Sequence, residues 1–187
     1  MTTIKNILFV ALAPLIFAIG ALTANGAPGD LYEADYNSGK IYKFAPDGTQ
    51  STFATGLIGP RGLAFDSAGN LFAGDYLGHT IYKFAPDGTR STFANIEFPQ
   101  GLTCDRAGNL FVAAYTNGAI YKFAPDGTRS TFVSGLVGPI GLAFDSVGNL
   151  FEADNSPTGA TINKFAPDGY AEHFRPCTKF FSYWAGL

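Results

Sequence analysis

The chain has 187 residues and a formal net charge of −3, and its twelve basic residues are spread along its length rather than clustered, which excludes the basic stripe a nucleic-acid partner requires. Apolar residues make up 47% and aromatics 15%, ample for a core, while 23 Gly and 11 Pro interrupt any helix of about ten residues or more. The composition reads as many short strands joined by tight turns.

Residues 1–26 read as a secretory signal. Lys5 supplies the positive start, Ile7 to Leu22 is an apolar run broken by Pro14, and Thr23-Ala24-Asn25-Gly26-Ala27 offers cleavage after Ala24 or Gly26. The run is short for a bilayer span of about 20 residues, and no second run of that length follows. The mature chain is therefore expected to be secreted or periplasmic, with no membrane attachment once the leader is removed. In that oxidising compartment Cys104 and Cys177 read as a small buried hydrophobe and a free tail thiol rather than a disulfide.

The rest of the chain is one unit written about four times. Ile-Tyr-Lys-Phe-Ala-Pro-Asp-Gly starts at Ile41, Ile81 and Ile120, and a fourth copy with Asn163 in place of tyrosine starts at Ile162. A period of about 40 residues marks an array of supersecondary units that bury their apolar faces against one another. The first copy opens at Leu31, on what is the second strand of later copies. In the second, Gly62-Leu63-Ala64-Phe65 is a short strand, and Asp66-Ser67-Ala68-Gly69 fits a type I turn. Asn70 to Asp75 is the next strand, then Ile81-Tyr82-Lys83-Phe84, a second type I turn at Ala85-Pro86-Asp87-Gly88, and Ser91-Thr92-Phe93-Ala94. Four antiparallel strands per repeat, apolar on both faces, predict an all-β propeller of about four blades, the first lacking its inner strand. The third copy places Cys104 where the second and fourth have Phe65 and Phe144.

The run Gly59-Pro60-Arg61-Gly62-Leu63-Ala64-Phe65-Asp66-Ser67-Ala68-Gly69-Asn70-Leu71-Phe72 recurs from Gly138 to Phe151, and more loosely from Phe98 to Phe111. These residues resemble the NHL-repeat propellers, a group that includes gluconolactonase-like and virginiamycin B lyase-like members, here in a short form. The resemblance spans residues 29–175. It implies a ring of antiparallel blades, and in lactonase-like relatives a channel metal, calcium being the cofactor to consider. Residues 176–187 abandon the repeat, and Phe180, Phe181, Tyr183 and Trp184 make that tail aromatic rather than a polar cap. The ring is expected to stay open or close imperfectly, with the tail as the candidate closing strand and self-association through the open blade edge as the other route.

Asp66, Asp105 and Asp145 each open an Asp-x-x-Gly-Asn turn, and Asp47, Asp87, Asp126 and Asp168 precede the glycine of the other turn; all read as turn-closing residues rather than calcium ligands. Asp35, Asp75 and Asp154 end the second strands, with Ala114 as the odd copy, and Arg61, Gln100 and Ile140 vary at one register in otherwise constant surroundings. Asp35, Arg61, Asp75, Gln100 and Asp154 are thus the candidate set for a polar ligand or cation. His79 and His173 are the two histidines, in different registers and without a nucleophile pattern nearby, so no catalytic residue is assigned. The sequence favours an exported, non-enzymatic binding module for protein or carbohydrate-like ligands. The alternatives are a lactonase-like or lyase-like enzyme with a channel metal, and an incomplete family member with no independent function.

Overall fold

A computed structural model of the chain describes residues 17–18, 29–155, 160–167, 169 and 171–173. Among the described residues sixteen strands form four four-stranded antiparallel sheets. Blade 1 contains β1 (Phe17–Ala18), β2 (Leu31–Asp35), β3 (Lys40–Phe44) and β4 (Gln50–Ala54). Blade 2 contains β5 (Pro60–Phe65), β6 (Leu71–Asp75), β7 (Thr80–Phe84) and β8 (Arg90–Asn95). Blade 3 runs through β9 (Pro99–Cys104), β10 (Leu110–Ala114), β11 (Ala119–Phe123) and β12 (Arg129–Ser134). Blade 4 runs through β13 (Pro139–Phe144), β14 (Leu150–Asp154), β15 (Thr161–Phe165) and β16 (Ala171–His173). Each sheet is a simple up-and-down meander in chain order.

Blade 1 departs from the expectation that it lacks an inner strand. The two residues of β1 pair with Ala34 and Glu33 of β2 at the position of β5, β9 and β13, so the segment read as a leader supplies a short inner strand. Packing runs from β2 to β5, from β5 to β9 and from β9 to β13, and among the described residues no comparable packing brings β13 back to β2. The four blades form an unclosed arc. The tail residues considered as a closing strand lie outside the described residues, as do Cys177 and Asp168.

Period-two alternation makes each blade apolar on two faces. The face toward the following blade carries Tyr32, Ala34 and Ile41 in blade 1, which pack with Leu57, Leu63, Leu71, Ala73 and Phe84 of the next unit. Blade 2 repeats this with Phe72 and Ile81 against Ile96, Leu102, Leu110, Val112 and Phe123. Blade 3 does so with Phe111 and Ile120 against Leu136, Leu142, Leu150 and Phe165. Edge-to-face ring contacts knit each seam, for example Phe72 to Phe93 at 4.9 Å and Phe93 to Phe123 at 5.6 Å. Cys104 sits half-buried at the seam position of Phe65 and Phe144, as the sequence suggested, and its burial pushes the thiol pKa up to about 12. Lys83 and Lys122 lie over Phe72 and Phe111, 5.6 and 5.5 Å from the ring centres, so their stems cover apolar surface. Lys43 lies 5.9 Å from the Tyr32 ring centre and also pairs with Asp30 at 2.6 Å, which holds the lysine above its ordinary pKa.

Candidate functional site

The turns repeated in each blade are structural. Asp66 Oδ1 accepts the amides of Ala68 and Asn70, and its Oδ2 accepts the Asn70 side-chain amide at 2.7 Å, with the same arrangement at Asp105 and Asp145. Asp47, Asp87 and Asp126 each accept the amide of the threonine two residues on, which holds their carboxyls below the ordinary range. These carboxylates close Asx turns at the sheet periphery.

The five candidate residues separate into two groups. Asp75 and Asp154 are buried fasteners: Asp75 Oδ1 accepts the Ile58 amide at 2.6 Å, and Asp154 Oδ2 accepts the Val137 amide at 3.0 Å. Each reaches back seventeen residues and locks the linker that leads into its own blade. Burial raises the Asp75 pKa against the opposing pull of the Ile58 amide and Arg90. Asp35 turns onto its own loop, accepting the Ser38 hydroxyl at 2.6 Å and the amides of Asn37 and Ser38. The Ser38 hydroxyl is the main reason its carboxyl titrates low.

Arg61 and Gln100 come together. Arg61 Nη1 donates to Gln100 Oε1 at 2.9 Å, across the seam between blades 2 and 3. The Arg61 guanidinium lies 4.0 Å from the Tyr76 ring centre and 4.9 Å from that of Tyr36. The stack continues through Phe98, 5.1 Å from Tyr76, to His79, 4.4 Å from Phe98. The Phe98 amide donates to His79 Nδ1 at 3.2 Å, which ties the linker between blades 2 and 3 to the turn between β6 and β7. Ile140, the third residue of that variable register, is half-buried and adds no polar group.

Two members of this stack have backbones that side chains rarely adopt. His79 has φ 52° and Phe98 has φ 48°, where the matching positions hold Gly39 (φ 64°), Gly118 (φ 57°) and Gly59 (φ 74°). The linker from blade 2 to blade 3 is one residue shorter than its neighbours: the Ile96 amide bonds back to His79, whereas Leu57 and Leu136 bond back to Gly39 and Gly118 from one residue further along. The face therefore spends backbone strain on presenting an imidazole and a phenyl ring, a pattern that clusters at functional positions. Beside the stack, Ile58 is 60% and Leu77 is 44% exposed, and the Leu77 amide bonds to the Ile58 carbonyl.

Tyr36, Tyr76, Phe98 and His79 were not in the sequence-derived set. The signal was present: a tyrosine follows the second strand in three copies (Tyr36, Tyr76, Tyr115), and Phe98 replaces the glycine before proline. His79 likewise replaces the glycine of two other copies.

Glu152 is the other chemical oddity. It is 0% exposed on β14, opposite Asn163, whose amide donates to Glu152 Oε2 at 2.8 Å. Burial, reinforced by Asp154, pushes its pKa up to about 7 despite the Asn163 bond. Glu152 Oε1 and Asp154 Oδ1 are buried without a hydrogen-bond partner. Asp75 Oδ1 and Asp154 Oδ2 are taken by backbone amides, and among the described residues no group of three or more His, Cys, Asp or Glu side chains is placed to hold an ion.

No curated protein matches the sequence. Among solved structures, virginiamycin B lyase from Staphylococcus aureus is 17% identical with a TM-score of 0.69, covering 90% of this chain and 59% of its own. A chain of the nidogen/laminin complex is 24% identical with a TM-score of 0.72, covering 84% of this chain and 64% of its own. The calcium-binding protein regucalcin from Agrobacterium tumefaciens is 18% identical with a TM-score of 0.59, covering 67% of this chain and 49% of its own. The chain thus spans between about half and two thirds of each of these propellers, and at these identities the likeness establishes the fold. The sequence model of the SMP-30/Gluconolactonase/LRE-like region matches residues 17–135, most of the chain, and its repeats and arc of blades agree with it: the chain belongs to the SMP-30/gluconolactonase/LRE-like family.

Proposed function

We propose that the protein is an exported binding module without a catalytic step of its own, and that it receives a protein segment on the strand-end face of blades 1 to 3. The observation that carries this reading is the continuous stack Tyr36–Arg61–Tyr76–Phe98–His79, held together by the Arg61–Gln100 bond and by two non-glycine residues at positive φ. Tyrosine and arginine, with tryptophan, are the side chains most enriched at the energetic centres of protein interfaces, tyrosine because it offers large contact area with few rotors to freeze and arginine because its planar guanidinium stacks and donates several hydrogen bonds at once. The exposed aliphatic groups of Ile58 and Leu77 beside the stack favour a protein segment over a sugar. Export rests on the leader-like segment that begins with Lys5 and runs apolar to Leu22. Within this reading Asp75 and Asp154 hold the linkers and Asp35 its own turn, while Arg61 and Gln100 remain contact residues.

Selection from a random peptide library displayed on phage tests the proposal. A consensus peptide should emerge whose affinity falls about 30-fold in Arg61→Ala and in Tyr76→Ala, the loss expected of interface hot spots. Arg61→Lys should fail to restore it, because an ammonium lacks the planar surface that lies against Tyr76. Peptides that bind both variants as tightly as the parent protein would refute the assignment of the face. Turnover of a sugar lactone that depends on added calcium or zinc and survives Arg61→Ala would refute the non-catalytic reading and restore the metal-dependent alternative.

A further inference from the structure

The two ends of the arc are unlike its interior in complementary ways. Ile41, Ile81 and Ile120 occupy one register of the third strand, and each is 0% exposed because the next blade covers it. Ile162 occupies the same register in blade 4 and is 47% exposed. Ala143 shows the same change: it is exposed, while its counterpart Ala64 is buried. At the other end, Leu71, Leu110 and Leu150 are the side chains that cover the preceding blade, exposed by 1%, 1% and 0%. Their counterpart Leu31 is 38% exposed. Its cross-strand partner Phe44 is half-buried, whereas Phe84, Phe123 and Phe165, paired with the other three leucines, are buried.

We propose that a second copy of this chain docks head to tail, its Leu31 and Phe44 face of blade 1 covering the Ala143 and Ile162 face of blade 4. Each end displays the half-seam that the other lacks, in the residue types and registers that already form three seams within the chain. Isoleucine meets leucine at all three internal seams, and Ile162 meeting Leu31 of the second copy makes a fourth of the same kind. Such an interface is heterologous, so two arcs close into a ring when the rotation permits and extend into a chain of arcs when it does not. A closed pair would carry eight blades, at the upper end of the usual propeller range. This surface is separate from the tyrosine–arginine face, and either proposal stands if the other falls.

The full chain is tested by light scattering on a sizing column at high micromolar concentration, together with Ile162→Asp and Leu31→Asp variants. The parent protein is expected at the mass of two chains or as a concentration-dependent ladder. Each variant alone is expected at the mass of one chain. An equimolar mixture of the two variants should recover a two-chain species, since one contributes an intact blade 1 face and the other an intact blade 4 face; that recovery also shows that both are folded. A single-chain mass for the parent protein, association that survives in either variant alone, or a mixture that stays monomeric would overturn the proposal.

Discussion

Replacing Glu152 by glutamine should stabilise the protein above neutral pH and abolish part of its pH dependence. The side chain is fully buried, and its carboxyl titrates at about 7 in place of 4.5. Between those two values the folded state retains a proton that the unfolded chain has released, so stability falls as pH rises through that window. Below 4.5 the folded state suffers no penalty from this group, and above about 7 the full penalty is present. At about 1.4 kcal/mol per pKa unit, the ionised carboxylate costs the fold ~3 kcal/mol. Glutamine mimics the protonated acid in size and still offers Asn163 a carbonyl oxygen, so Glu152→Gln should match the parent protein at pH 4 and exceed it by ~3 kcal/mol at pH 8. With urea slopes of about 1–3 kcal/mol per molar, the midpoint difference at pH 8 is on the order of 1–3 M. Urea titrations of both proteins across that range measure it, and titrating groups that do not interact with residue 152 cancel in the difference. Parallel curves for the two proteins, or a glutamine variant less stable at pH 8, would refute the claim that burial holds this carboxyl neutral.

Three further outcomes follow from the same geometry. Asp75→Ala removes the acceptor of the Ile58 amide and should cost about 1–3 kcal/mol in urea melts, clearly more than Asp126→Ala in an exposed turn; equal costs would show that Asp75 is not a fastener. Gly48→Ala, at φ 84° with open space around it, should cost only the left-handed backbone penalty of about 1–2 kcal/mol. Gly39→Ala should cost clearly more, because its Cβ would overlap the Leu57 carbonyl oxygen. In a Cys177→Ser background, Cys104 with its pKa near 12 should resist a disulfide reagent at pH 8 until the protein is unfolded, and prompt reaction in the native state would contradict its seam position.

The architecture was legible because it is written in period. The recurrence of Ile-Tyr-Lys-Phe-Ala-Pro-Asp-Gly announces blade count and strand order, and the turn aspartates declare themselves by their spacing to Asn70, Asn109 and Asn149. The same regularity also identified the register of Arg61 and Gln100, since variation stands out against copies. What pattern could not reveal is the direction in which a polar side chain spends its hydrogen bonds. Asp35, Asp75 and Asp154 look equivalent in sequence, but Asp75 and Asp154 accept linker amides seventeen residues upstream while Asp35 accepts from its own loop. Tyr36 and Tyr76 become a site only because the seam between blades 1 and 2 brings strand ends forty residues apart to either side of one guanidinium. Glu152 was passed over for a related reason: its burial is a property of the seam between blades 3 and 4, not of its neighbours in sequence.

The Asn163 substitution has a consequence for how the chain finds its own fold. β3, β7 and β11 share the run Ile-Tyr-Lys-Phe, and each pairs with a second strand through the same register of leucine opposite phenylalanine. To a refolding chain these three hairpin halves are interchangeable, which is the condition under which repeats trade strands within a molecule or between molecules. β14 and β15 are marked off from blades 2 and 3. Joining β15 to either of those blades would bury the Asn163 amide opposite Ala73 or Val112, away from the Glu152 carboxylate it meets in the native pair, whereas blade 1 offers Glu33 at that register. The last blade is therefore guarded against exchange with its two nearer neighbours, and strand exchange should accumulate among the first three.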